Sequence, residues 1–150
     1  MRIVFAAAMV VVLVIGLGAG QASGADDTSA DEARKKAATE VTKGQCHCGY
    51  VKYQVQGPVL SHNYCSCRGC QKATGTLKVP FAVVAKASFA VTAGKPSSYR
   101  SDSGVKCDAQ GVWNFCPKCG TQVFWVGDRG DTVDIFAGTL NNTALFQPEG

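Results

Sequence analysis

Residues 112–126 read VWNFCPKCGTQVFWV. Two apolar runs of strand length, 112–116 and 121–126, flank a Cys-x-x-Cys turn. Pro117 fixes the backbone after the first cysteine, and Gly120 permits a tight turn after the second. Cysteines this close in sequence rarely bridge each other without strain, but a tight turn can aim both thiolates at one point, as a shared metal requires. The stretch therefore reads as a β-hairpin with half of a zinc site at its tip.

A closed zinc site needs four ligands. GQCHCGY, residues 44–50, supplies a second pair between glycines. Cys46, Cys48, Cys116 and Cys119 together make a four-thiolate site that ties the start of a domain to its second half. Such a site has no open position, so its expected role is folding. His47 sits between two ligands. Neighbours in an extended segment point to opposite sides, so His47 reads as a surface residue.

A third group is more unusual. NYCSCRGCQKATG, residues 63–75, carries Cys65, Cys67 and Cys70 within six positions. Three thiolates leave the fourth position of a zinc ion open, which is the mark of a catalytic site. Two other readings stand beside it: a closed site completed by His62 or Cys107, and disulfides formed after export. Cys107 has no partner motif and reads as a free or buried thiol.

The chain has 150 residues, 17% charged and 46% hydrophobic, which suits one folded domain. Its 17 glycines and many short apolar runs favour a turn-rich β protein. In YVKYQVQ (50–56), Val51, Tyr53 and Val55 share one face. VPFAVVA (79–85), SFAVTAG (88–94), SSYRS (97–101) and TVDIFAG (132–138) read as further strands. No long helical periodicity follows residue 44, and no repeat is seen. The expected class is all-β and antiparallel with few helices. RGD at 129–131 reads as turn chemistry.

Residues 1–24 differ from the rest. Arg2 precedes an apolar run over 3–19, and small residues follow at Ala22, Ser23 and Gly24. This is the pattern of an export signal. The protein is expected to be exported, periplasmic or secreted, or tethered to the membrane if the signal stays uncleaved. Residues 25–43 read as a polar linker, with EARKK (32–36) as its solvated basic spot, and residues 44–150 as the zinc domain. Removing residues 1–24 takes away one arginine and no acid, which lowers the formal charge from +4 to +3. That is too mild for nucleic-acid binding.

Taken in order, GQCHCGYVKYQVQGP, YCSCRGCQKATG, FAVTAGKPSSYRS, FCPKCGTQVFW and FAGTL resemble the glutathione-dependent formaldehyde-activating enzyme family, also called the centromere protein V domain family. The resemblance covers about residues 44–147. It implies a zinc-stabilised β-tent fold of antiparallel sheets with two zinc ions per chain. It implies a structural zinc on Cys46, Cys48, Cys116 and Cys119, and a catalytic zinc on Cys65, Cys67 and Cys70. The implied activity is carbon–sulfur lyase chemistry, the reversible joining of glutathione and formaldehyde into S-(hydroxymethyl)glutathione. The implied partners are a small thiol and a small aldehyde. Arg68 and Lys72 flank the second set of ligands and are candidate substrate contacts, able to offset thiolate charge or meet a carboxylate. Ser66 and Thr74 are further candidate donors.

The sequence departs from the family where an arginine usually precedes the last knuckle; here stand Val112, Trp113 and Asn114. Asn141 and Asn142 replace the usual acidic pair after GTL. These departures bear on thiol recognition more than on metal binding. The competing expectations are a zinc-stabilised binding or structural module without turnover, and a disulfide-bonded exported protein without metal.

Overall fold

The structure is a computed structural model that describes residues 40–100, 110–128 and 130–148. The export segment, most of the linker, Cys107 and Arg129 lie outside the described residues. Nine strands run β1 Val41–Gln45, β2 Lys52–Gln56, β3 Ser61–Cys65, β4 Val79–Ala85, β5 Phe89–Ala93, β6 Ser97–Arg100, β7 Gly111–Phe115, β8 Gln122–Gly127 and β9 Thr132–Phe136. Among the described residues one α-helix, α1 Arg68–Thr74, accompanies these strands, with short 3-10 turns at Lys86–Ser88, Ala137–Thr139 and Thr143–Leu145. Every strand pair is antiparallel. The expected antiparallel β class is what the structure has.

The strands form two sheets. One has three strands in the order β1-β2-β5, and the other six in the order β3-β4-β9-β8-β7-β6. The alternation in β2 works as expected, for Val51, Tyr53 and Val55 are all buried. They pack with Ala82, Val84, Val123, Phe124, Val133 and Ile135 from the larger sheet. This main core contains Cys46 and Cys116, so half of the first cysteine set is core packing as well.

The larger sheet also buries part of its other face. Val79, Phe81, Trp113 and Phe136 make a second cluster with Cys70, and Cys65, Cys67, Ala73 and Trp125 pack against it. A strand covered on both faces reads as a continuous apolar run rather than an alternating one. That accounts for VPFAVVA, which is β4. The second cluster is the floor on which α1 and the cysteine triplet stand.

Two strands were not visible in the sequence. β1 begins at Val41, inside the stretch read as polar linker, and pairs along its whole length with β2. Its buried positions are Thr42 and Gly44, which carry no apolar signal. β3 is an edge strand, mostly exposed, and equally silent.

Gly44 has a packing reason. A β-carbon built there would lie 2.1 Å from the Tyr53 ring and 2.6 Å from the Thr139 carbonyl oxygen. The Tyr53 hydroxyl and the Thr139 Oγ1 are 2.8 Å apart. Thr139 Oγ1 donates at 2.8 Å to the Phe136 carbonyl, so Tyr53 is the donor to Thr139. The ring cannot withdraw without breaking this chain of bonds. Gly44→Ala is expected to cost about 3 kcal/mol, the upper part of the usual overpacking range. Urea denaturation measures it; a loss below about 0.5 kcal/mol, the range of ordinary surface changes, would refute the close packing.

Candidate metal centres

The hairpin reading of residues 112–126 is what the structure has: β7 and β8 pair, and the Cys116/Cys119 turn joins them. The Cys46/Cys48 turn, between β1 and β2, repeats the same local solution. Gly49 and Gly120, each one residue past the second cysteine, have φ of 72°. That left-handed conformation is the one a side chain disfavours. Each amide bonds back to the first cysteine of its pair, Gly49 to the Cys46 carbonyl at 3.0 Å and Gly120 to the Cys116 carbonyl at 2.9 Å.

These turns bring Cys46, Cys48, Cys116 and Cys119 together with all four sulfurs within 4.8 Å of one another. Cys46 Sγ lies 3.6 Å from Cys48 Sγ, and Cys48 Sγ lies 3.7 Å from Cys116 Sγ. Tetrahedral zinc with bonds of about 2.3 Å separates its sulfurs by about 3.8 Å. The donor set and its spacing therefore fit a tetrahedral thiolate metal.

Neighbouring groups are already set for thiolates. The Val51 amide donates to Cys46 Sγ at 3.2 Å. The His47 amide donates to Thr121 Oγ1 at 3.2 Å, which leaves the threonine hydroxyl to donate to Cys119 Sγ, also at 3.2 Å. The Thr121 hydroxyl and amide bring the Cys119 thiol down to about 5. Burial pushes Cys46 up, but the Val51 amide and the Cys116 and Cys48 thiols leave it below its ordinary value. Cys48 moves the other way. The Tyr50 amide lowers it, yet desolvation and the sulfurs of Cys119, Cys46 and Cys116 push it up to about 11. Four crowded sulfurs cannot all be anions without a cation between them, and a divalent metal removes that conflict. His47 is exposed, as expected, and contributes its amide rather than its ring. Lys118 Nζ sits 3.9 Å above the Tyr50 ring and pins the two turns further.

Cys65, Cys67 and Cys70 come from a strand end and a helix start rather than from one loop. Cys65 closes β3, Cys67 caps α1, and Cys70 lies in the first turn of the helix. The Cys70 amide donates to Cys67 Sγ at 3.4 Å. Cys70 Sγ lies 3.2 Å from Cys65 Sγ, and all three sulfurs fall within 4.8 Å of one another. Burial, then the Cys65 sulfur, then the Asp134 charge push the Cys70 thiol up to about 12. Among the described residues, no histidine, carboxylate or further cysteine joins these three. His62 is excluded by the strand: it lies three residues before Cys65, hence on the opposite face. Its Nδ1 accepts from the Gln147 amide at 3.3 Å, and its ring packs on Phe146.

Cys67 is disulfide-bonded, whereas Cys65 and Cys70 are free thiols. A disulfide sulfur is not a thiolate ligand, so the triplet fits a metal only with Cys67 reduced. The triplet thus has two mutually exclusive chemical states.

Arg68 and Lys72 lie on the exposed side of α1, and Arg68 Nη1 donates at 3.0 Å to Gln71 Oε1. Gln71 in turn donates to the Ser66 and Leu77 carbonyls, closing the chain around the helix. The Thr74 hydroxyl is engaged by the Cys70 carbonyl at 2.8 Å. Two residues beside the triplet escaped sequence reading, Asp134 and Trp125. The signal was present: in TVDIFAG, Val133 and Ile135 take one face, which leaves Asp134 and Phe136 on the other.

The chain matches the family model described as glutathione-dependent formaldehyde-activating enzyme over residues 41–150. No curated protein matches it. Among solved structures, a Rhodobacter sphaeroides protein shares the fold with a TM-score of 0.52 at 20% identity, covering 67% of this chain and 88% of that one.

Proposed function

Because this chain belongs to the glutathione-dependent formaldehyde-activating enzyme family, we propose that it is a zinc-dependent carbon–sulfur lyase that reversibly joins a thiol such as glutathione to formaldehyde. In this reading the antiparallel sheets form the family's β-tent. Cys46, Cys48, Cys116 and Cys119 hold a structural zinc, and reduced Cys65, Cys67 and Cys70 hold a catalytic one. The observation that carries the reading is the convergence of three sulfurs with no fourth protein ligand among the described residues.

Cys65, Cys67 and Cys70 would hold a zinc ion whose open position would favour the thiolate form of a bound thiol near neutral pH. The chain's own residues do the rest. Phe81, Phe136 and Trp113 give the cluster an apolar floor that keeps water from the buried Cys70 side. Gln71 holds the segments before and after α1, so the cysteines keep their places. Arg68 and Lys72 offset the anionic cluster from the solvent side. In the reaction a bond forms between sulfur and the carbonyl carbon. The thiol proton ends on the carbonyl oxygen, and nothing is oxidised or reduced. With residues 1–24 read as an export signal, this chemistry operates outside the cytosol.

The test uses the exported protein, reduced and zinc-loaded, with glutathione and formaldehyde. Exchange spectroscopy should show faster formation of S-(hydroxymethyl)glutathione than in buffer, and Cys65→Ser should remove the acceleration. The intact mass of the same sample reads whether residues 1–24 are gone. An unaccelerated exchange with two zinc ions bound would favour the non-catalytic module instead. The disulfide at Cys67 supports a second reading of the same site, an oxidised form without metal.

A further inference from the structure

Asp134 shares the face of the larger sheet that carries the triplet. Val133 and Ile135 enter the main core, and Phe136 belongs to the second cluster, so alternation sends Asp134 to the second-cluster side. Its cross-strand neighbours are Trp125 on β8 and Val83 on β4. Phe136, two residues on, pairs with Phe81, and Trp125 pairs with Trp113. The Trp125 and Trp113 rings stand edge to face, 6.5 Å between centroids. Phe136 and Trp125 pack in one cluster with Cys65, Cys67 and Cys70, which puts Asp134 on the triplet's side of the sheet.

The carboxyl is only partly exposed, and among the described residues no hydrogen bond or ion pair holds it. Burial raises its pKa, as expected for a carboxyl that loses water and gains no partner. Both cross-strand neighbours are apolar. A carboxylate beside indole faces attracts a cation and repels an anion. The sulfur cluster next to it has the same sign. A half-desolvated acid without a partner, opposite Trp125 on the sheet face that carries the triplet, is a place for a positive group.

We propose that Asp134 and Trp125 form a subsite beside the cysteine triplet for an ammonium group on the substrate, making cationic thiols the preferred thiol class. This rests on the open-site reading above. It goes beyond that reading by assigning a specificity residue.

Calorimetric titration of the reduced, zinc-loaded protein tests it with two thiols of similar size, 2-aminoethanethiol and 2-mercaptoethanol. The aminothiol is expected to bind about ten-fold more tightly, the scale of one charge-assisted contact. Asp134→Asn is expected to abolish the preference and leave the 2-mercaptoethanol affinity unchanged, with zinc content and unfolding midpoint as wild type. Equal affinities in the wild type would overturn the subsite and leave the open site standing. A preference that survives in Asp134→Asn would mean that the amine is recognised by the metal, and would also overturn it. If neither thiol binds, the open-site reading fails, and the subsite with it.

Discussion

Replacing Cys116 by serine is expected to abolish the cooperative unfolding transition of this domain, and chelating the metal from the wild type should do the same. Cys116 is fully buried in the main core and sits at the tip of the β7–β8 hairpin. Its partners Cys46 and Cys48 belong to the β1–β2 turn of the other sheet. A metal held by these four thiolates would therefore clamp the two sheets together. Binding of structural zinc contributes about 10–16 kcal/mol in small zinc domains. Whole domains of this size are stable by only about 5–15 kcal/mol. The two figures are of the same order, so the fold is expected to be lost with the clamp. Without metal the turns would also bring together sulfurs whose charges conflict, as the opposed shifts of Cys48 and Cys119 record. Tryptophan fluorescence and circular dichroism, followed through a thermal scan, read the outcome. Cys65→Ser, at a strand end on the second face, should keep the transition. A Cys116→Ser protein with an unchanged midpoint would remove the first site from any structural role.

What could be read from the sequence follows from where the signal is carried. The two knuckles were legible because metal geometry demands cysteine pairs at fixed spacing with glycine after them, and Gly49 and Gly120 adopt the required conformation. β2 and β4 were legible because burial selects bulky apolar residues, on one face for Val51, Tyr53 and Val55, and on both for 79–85. β1 was not, because its buried positions are Thr42 and Gly44, chosen for a close approach to Tyr53 that leaves no periodicity. α1 has seven residues, too few to show a helical period, and its cap is a cysteine rather than serine or aspartate. The candidate site was legible in its clustered cysteines and not in its walls. Asp134 and Trp125 acquire meaning only through the register of β8 and β9, which places them opposite each other.

The second large effect concerns the triplet, whose metal content is expected to follow the redox state of Cys67. Prepared without reductant, the protein should hold one zinc ion and show six titratable thiols under denaturing conditions, the eight cysteines of the chain less the two of one disulfide. After reduction it should hold two and show all eight of its cysteines as thiols. The reductant supplies the two electrons and two protons that open the disulfide. The physical reason is ligand count. With Cys67 oxidised, Cys65 and Cys70 remain, and Cys70 is a buried thiol pushed up to about 12 by desolvation and by its neighbours. Two sulfurs, one of them so hard to deprotonate, do not compete with protons for a metal as three thiolates do. The first site should be indifferent to the same treatment, because its four cysteines are all free thiols with no disulfide to open. The stoichiometry therefore separates the two centres within one measurement. Two zinc ions with only six thiols would mean that the second ion lies elsewhere. Eight thiols and two ions before any reductant would mean that Cys67 is a thiol in solution. The expected result, one ion becoming two, would make assembly of the reactive centre conditional on reduction. Under the proposed export, that condition is met only where the surroundings keep Cys67 reduced.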